Sequence, residues 1–260
     1  MIEKGIILAG GTGSRLNNLT RVTNKHLLPV YNDPMIYYPL RTLINAAIKD
    51  IMIVSGRSHA GHFLELLGSG EEFGVNLSYT VQESPSGIAG ALRLCKRFAN
   101  EDNIAVILGD NIYEDKFDFS DFREGARVYL KRSLNPQRFG VGRIRTDTRI
   151  DTIPLYKDRK GKLIEIVEKP KIDTVDHELI DKNGYGFIVT GLYLYPNDVF
   201  DKISCLKPSA RGELEITDIN NMYIRENRMD SEIVTGFWSD MGTPESLYNA
   251  SSFIRNKITQ

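Results

Sequence analysis

The N-terminal stretch restricts the fold more than any other part of the chain. Gly5-Ile6-Ile7-Leu8-Ala9 is a short unbroken apolar run. A run of this kind, ended by glycines, reads as a strand of a parallel sheet, buried on both faces. It stops at Gly10-Gly11-Thr12-Gly13-Ser14-Arg15. Glycine admits a sharp turn with positive φ and lets successive N–H groups close on a bulky anion. Arg15 adds a forked, permanently charged donor, and Lys25 a second cation ahead of Leu27-Leu28-Pro29-Val30. Glycines after a first strand also serve as plain tight turns, so the loop alone leaves both readings open. It lacks the Gly-Lys-Ser/Thr ending of a P-loop, and the last glycine of a dinucleotide fingerprint would fall on Leu16.

With 260 residues, 41% hydrophobic and 26% charged, the chain is long enough to bury one full core. Its net charge of −1 implies no general attraction to nucleic acid or to a membrane, so an anion site has to be built locally from a few cations. Cys95 and Cys205 lie far apart with no C-x-x-C, which reads as two buried thiols in a reducing compartment and argues against zinc. No basic-then-apolar leader precedes the first strand and no apolar run reaches membrane-spanning length, so a cytoplasmic protein is expected.

Along the chain, Ile36, Tyr37, Leu40, Leu43, Ile44 and Ala47 recur at helical spacing over 34–48, with Pro34 suited to the first turn. Residues 51–54 read as a second strand and 61–67 as a helix with Phe63, Leu66 and Leu67 inward. His59 and His62 have no third ligand nearby and read as solvent-facing. A third strand over 77–81, a helix over 88–98 and a fourth strand over 103–108 complete a β-α-β-α-β-α-β series. That order predicts an open parallel sheet with right-handed crossovers. Beyond it, 119–129 reads as a helix, and 139–144, 163–167 and 186–195 as strands, with polar insertions at 147–162 and 171–183. Short helices are expected at 198–203 and 216–225, a late strand at 233–234, and a last helix over 245–254 capped by Thr243. There are no repeats and no low-complexity linker, so residues 1–260 are expected to form a single α/β domain.

Several side chains could carry chemistry. Asp110 stands directly after a fully apolar strand, where α/β sheets bind ligands, although an Asp there also caps turns. Asp240 follows Trp238 by two positions. Two carboxylates brought together from distant strand ends suit Mg²⁺, which takes a few carboxylates plus substrate phosphate oxygens. Glu168-Lys169-Pro170 closes a strand and by itself is compatible with plain solvated surface. Gln82 opens a loop at a strand end; its amide can accept from N3–H of thymine or uracil while donating to O4. Turned end for end it suits cytosine equally, so it argues for a pyrimidine rather than for thymine.

In order, these blocks resemble the sugar nucleotidyltransferases. Tyr31-Asn32-Asp33-Pro34-Met35-Ile36-Tyr37-Tyr38-Pro39-Leu40 points within that family to the branch that transfers thymidylyl groups to glucose 1-phosphate. Gly109-Asp110-Asn111-Ile112-Tyr113, Trp238-x-Asp240-x-Gly242-Thr243, Glu168-Lys169-Pro170, Val189-Thr190-Gly191-Leu192-Tyr193 and the block 209–220 are similar to further family motifs. The resemblance implies a Rossmann-like, GT-A-like mixed and mostly parallel sheet with flanking helices. It implies a nucleotide-binding half over about 1–115 and a sugar-phosphate half over about 116–260. It places Leu8, Gly10, Gly11, Thr12, Gly13, Ser14, Arg15, Lys25, His26, Gln82 and Gly87 on the nucleotide. It places Asn111, Gly140, Glu168, Lys169 and Val189 on the sugar phosphate, and Asp110 and Asp240 on Mg²⁺. Arg15, Lys25, Asp110 and Lys169 would be catalytic. The substrates implied are a nucleoside triphosphate, dTTP in this branch, and glucose 1-phosphate; a homo-oligomer, dimer or tetramer, is also implied. A cytidylyl- or uridylyltransferase and a non-catalytic nucleotide-sugar sensor are the competing readings. The sequence departs from the branch at His26, Gly90, Pro196 and the run Phe139-Gly140-Val141-Gly142-Arg143, all on the base and sugar sides.

Overall fold

The computed structural model describes residues 1–145, 162–171, 179–181 and 183–259. The strands are β1 (Ile2–Ala9), β2 (Pro29–Val30), β3 (Asp33–Pro34), β4 (Asp50–Gly56), β5 (Asn76–Gln82), β6 (Asn103–Leu108), β7 (Ile112–Tyr113), β8 (Ala126–Ser133), β9 (Gly140–Arg145), β10 (Lys162–Glu168), β11 (Gly186–Tyr195), β12 (Met229–Ile233) and β13 (Trp238–Ser239). The helices are α1 (Tyr37–Asn45), α2 (Ala60–Leu67), α3 (Gly87–Arg93), α4 (Lys96–Ala99), α5 (Val199–Ser204), α6 (Ile216–Arg225) and α7 (Pro244–Ile258). The large sheet runs β10-β9-β11-β6-β1-β4-β5, with β8 pairing β11 and β12.

The apolar run at the N-terminus explains the centre of this sheet. Successive strand residues point to opposite faces, so Ile6 and Leu8 join one core with Val106 and Leu92. Ile7 and Ala9 join the other core with Leu43, Ile53 and Phe63. Helices cover both faces, which is why the strand needs no polar alternation. β1 pairs parallel with β4 and β6, and β4 with β5. The registers Ala9↔Ser55, Leu8↔Leu108 and Gly56↔Gln82 bring the carboxyl ends of these strands to one sheet edge. Gln82 ends β5 at this edge, and the loops that leave it hold residues 10–15 and Asp110, the usual position of a ligand site in such a sheet. Beyond β6 the sense changes, because β11, buried along its length, runs antiparallel to β6, β8 and β9.

Some expectations need correction. No helix forms over 119–129: Phe117, Phe119 and Phe122 enter the core from a loop, Gly125 turns with φ 76°, and β8 begins at Ala126. Pro34 lies in the β2–β3 ladder, and α1 starts only at Tyr37. The helix expected over 88–98 is broken into α3 and α4. Cys95 is buried, but Cys205, at the C-terminal end of α5, is exposed. The polar insertions at 147–162 and 171–183 lie largely outside the described residues. Thr243 does cap α7, in a reciprocal box with Ser246.

Candidate active site

The glycine loop folds over Lys25. A Cβ on Gly11 would stand 3.3 Å from Lys25 Cε, and one on Gly13, where φ is 70°, only 2.9 Å from Lys25 Cβ. Lys25 Nζ then bonds to Asp110 Oδ2. Burial pushes the Asp110 carboxyl up, but the ammonium of Lys25 and the hydrogen bonds it receives outweigh this and hold it below the usual carboxylate range. Asn111 Nδ2 donates to Asp110 Oδ1 at 3.0 Å. Asn111 Oδ1 accepts from Trp238 Nε1 at 2.7 Å and from Gly191 N at 3.2 Å. Asn111 is therefore a strut between the two loops, and Gly191 is required there, since a Cβ would meet Asn111 Nδ2 at 2.7 Å.

Trp238 and Ser239 pair with Tyr113 and Ile112. This ladder carries Asp240 to the region of Asp110 although the two lie far apart in sequence. The segment before it is gripped from both sides. Asp115 accepts from Thr235 N, Thr235 Oγ1 and Gly236 N, while Lys131 Nζ donates to the carbonyls of residues 234, 235 and 236. Asp240 Oδ2 lies 3.0 Å from Arg138 Nη2 and 3.7 Å from Arg15 Nη2. The Arg15 guanidinium packs over Gly242, whose added Cβ would lie 2.7 Å from it. Arg15, Lys25, Asp110, Asn111 and Asp240 thus form one connected group at the sheet edge.

His26 lies beneath this group, 1% exposed, with Gly109 packed on its ring. Asn24 Oδ1 accepts from His26 N at 2.9 Å and lies 2.6 Å from His26 Nδ1. An amide oxygen cannot donate, so Nδ1 carries the ring proton. Burial first, then the charge of Lys25, lowers the imidazole pKa to about 3. His26 therefore supports the loop as a neutral side chain. Gln82 meets the same loop, since a Cβ on Gly10 would stand 2.5 Å from its Oε1. Its Nε2 donates to Ser86 Oγ at 3.0 Å. Gly87, at φ 82°, sits so close to Leu214 O that a Cβ would approach to 2.6 Å. Leu8 is buried in β1, while Thr12 and Ser14 lie on the loop itself.

The acceptor-side residues gather at the end of β10. Thr217 Oγ1 donates to Glu168 Oε2 at 2.6 Å, and Gly140 lies beside both, where the tight contact of an added Cβ would be with Ile166 Cγ2 at 3.0 Å. Lys169 Nζ stands 3.2 Å from Glu168 Oε1, and its backbone, at φ 42°, is held by an N–H bond to Phe139 O at 3.0 Å. A non-glycine residue in the left-handed region is strained, and such residues gather at functional sites. Met241, directly after Asp240, is another, at φ 39°. Val189 is buried in β11, in the same core as Ile166. Burial, then the charges of Glu168 and Asp110, push the pKa of the buried Tyr193 phenol up.

Arg138, Thr217, Arg211, Asp115 and Lys131 also belong to this region, and sequence reasoning did not single them out as site residues. Arg211 Nη2 lies 2.9 Å from Glu215 Oε2 and 3.3 Å from Glu168 Oε1. The side chains that reach Asp240 and Glu168 come from remote elements, and no local spacing marks them. Among the described residues no group of three or more His, Cys, Asp or Glu side chains could hold a metal ion. Two carboxylates suit a hard divalent ion that completes its shell with phosphate oxygens and water, although here each already pairs with a cation of the chain. Asp110 and Asp240 fit that requirement.

A parallel-sheet edge bearing a glycine loop, with cations set against carboxylates beside it, is the arrangement of a Rossmann-like nucleotidyltransferase fold. A family model described as nucleotidyl transferase matches residues 4–257, and the chain belongs to this family of transferases. A glucose-1-phosphate thymidylyltransferase of Neisseria meningitidis is 40% identical over 97% of the chain and 82% of its own length. One of Mycolicibacterium smegmatis is 39% identical over the same shares. A crystal structure from Bacillus anthracis, described as a glucose-1-phosphate thymidylyltransferase with bound sucrose, superposes with TM-score 0.83 at 45% identity, covering 98% of this chain and 96% of that one.

Proposed function

We propose that this nucleotidyltransferase moves a thymidylyl group from dTTP to glucose 1-phosphate with Mg²⁺, releasing pyrophosphate. An oxygen of the acceptor phosphate attacks the α-phosphorus; that P–O bond forms as the bond from the α-phosphorus to the bridging oxygen of the β-phosphate breaks, and pyrophosphate leaves with the electron pair. The second pKa of a phosphate monoester is about 6, so the attacking oxygen is already ionised at neutral pH and no general base is needed. Catalysis is then alignment and charge stabilisation. The amides of residues 11–14 and Arg15 hold the triphosphate, and Lys25 faces the α-phosphate. Lys169 meets the acceptor phosphate, and Glu168, oriented by Thr217, accepts from sugar hydroxyls. Asp110 and Asp240 would hold Mg²⁺, which when bound neutralises charge on the phosphate oxygens. In this reading the part of the chain up to about residue 115 handles the nucleotide and the rest the acceptor.

The observation that carries the proposal is the pairing of Lys25 with Asp110 and of Arg15 with Asp240 beside one glycine loop. The names of the relatives support dTTP and glucose 1-phosphate. Two free thiols favour a reducing, cytoplasmic setting. A homo-oligomer, which the family resemblance implies, is expected, and light scattering would test it. The test of activity is pyrophosphate release across all nucleoside triphosphates and a panel of sugar 1-phosphates. Highest kcat/KM with dTTP and glucose 1-phosphate is expected; preference for CTP or UTP would overturn the thymidylyl assignment, and no turnover with any pair would leave a binding protein.

A further inference from the structure

Both carboxylates assigned to the metal are already neutralised by cations of the chain itself. Lys25 occupies Oδ2 of Asp110. Arg138 donates to Oδ2 of Asp240 at 3.0 Å, and Arg15 stands 3.7 Å from the same oxygen. Lys25 and Arg15 are the side chains that would face the triphosphate. Arg138 differs in origin: it ends the turn Pro136–Arg138 that leads into β9, on the acceptor side. Among the described residues Asp240 is the only carboxylate within ion-pair distance of Arg138. Its guanidinium also lies over the Phe139 ring at 5.3 Å, and that ring meets Trp238 edge-on at 5.6 Å.

A divalent cation approaching Asp240 therefore meets an oxygen already shared by two guanidinium groups. Like charges a few ångströms apart repel, and more strongly at a partly buried site than in water. A triphosphate reverses this balance, because its oxygens attract the same cations away from the carboxylates. From this exchange we infer that Arg138 is a displaceable counter-ion of Asp240, which makes uptake of the divalent cation depend on the nucleotide. Metal and triphosphate then enter together, and the coupling is reciprocal. The protein avoids filling the site with a bare ion, and the acceptor side registers the event, since Phe139 O also holds the backbone of Lys169. The inference rests on the assignment of Asp240 as a metal ligand.

Mn²⁺ binding to the nucleotide-free protein, read as loss of the free-ion EPR signal, tests it without reference to turnover. Wild type, Arg138→Met, Arg138→Lys, Asp240→Asn and the Arg138→Met/Asp240→Asn pair are compared. Arg138→Met should bind Mn²⁺ about three- to tenfold more tightly than wild type, the range expected when a partly exposed ion pair no longer competes. Arg138→Lys should stay close to wild type, and the gain should vanish in the double variant. In the assay the Mg²⁺ concentration for half-maximal rate should depend less on dTTP concentration in Arg138→Met. Unchanged or weaker Mn²⁺ binding in Arg138→Met, with clear loss in Asp240→Asn, overturns the counter-ion role alone. Mn²⁺ binding as tight in the Arg138→Met/Asp240→Asn pair as in Arg138→Met overturns the ligand assignment beneath it. Arg138→Gln repeats the comparison with a smaller change of shape should the Met variant fold poorly.

Discussion

On the proposed nucleotide side the Lys25 and Asp110 side chains are 12% and 10% exposed, with His26 and Asn111 buried beneath them. On the acceptor side Lys169, Arg211 and Glu168 are 46%, 42% and 30% exposed, and much of the neighbouring chain lies outside the described residues. The first group is fixed by desolvation: a buried charge without its partner is costly, so the geometry exists before any ligand arrives. The second is held by the hydrogen bonds of Thr217 to Glu168 and of Lys169 N to Phe139 O, and by surface ion pairs that contribute little individually. The proposed nucleotide side is fixed by buried, paired charges, whereas the described part of the proposed acceptor side rests on more exposed contacts.

Four substitutions would break or sharpen this contrast. Asp110→Asn should have the largest effect, lowering kcat at least about 100-fold with every acceptor, as loss of a transition-state charge contact does. Pyrophosphate release checks it, and a loss below tenfold would remove Asp110 from the reaction. Lys169→Met should raise the KM for glucose 1-phosphate about 10- to 100-fold, the cost of a hydrogen bond to a charged group, while dTTP binding by calorimetry stays unchanged. Equal weakening of dTTP would mean that the two sides are not separable.

Thr217→Val keeps the shape but leaves Glu168 Oε2 without its donor. A loss of about five- to tenfold in kcat/KM for the acceptor is expected, with Thr217→Ser restoring it. Failure of serine to rescue would make Thr217 a packing residue. The smallest effect concerns stability alone. His26 has a folded pKa of about 3 against an ordinary value near 6.5, so its contribution is fully present above pH 6.5 and is lost as pH falls from there toward 3. In metal-free buffer, the stability lost between pH 7 and pH 5 should be about 2 kcal/mol smaller in His26→Gln than in wild type, read from urea midpoints. Parallel pH profiles would show that the imidazole protonates freely in the folded protein.

The central strands were legible because burial on both faces leaves unbroken apolar runs, and the glycine loop because its composition is unusual. The false helix over 119–129 has a specific cause. Phe119, Phe122 and Ala126 repeat at helical intervals, yet a loop and then β8 carry them inward. Asp110 stood out in the sequence because it follows an apolar strand by two residues. Arg138 could not, because its partner Asp240 lies 102 positions away and only the β7–β13 ladder and the path of β9 bring the two together. The same holds for Thr217, whose hydroxyl acts on a carboxylate 49 positions away.

One further detail lies at the margin of the large sheet. The outward peptide group of Ile166 in β10 is matched by the Asn221 amide of α6, which donates to its oxygen at 2.8 Å and accepts from its nitrogen at 2.9 Å. A single side chain thus imitates one residue of a neighbouring strand. The ladder is closed at that point, which disfavours edge-to-edge pairing with another copy of the chain there.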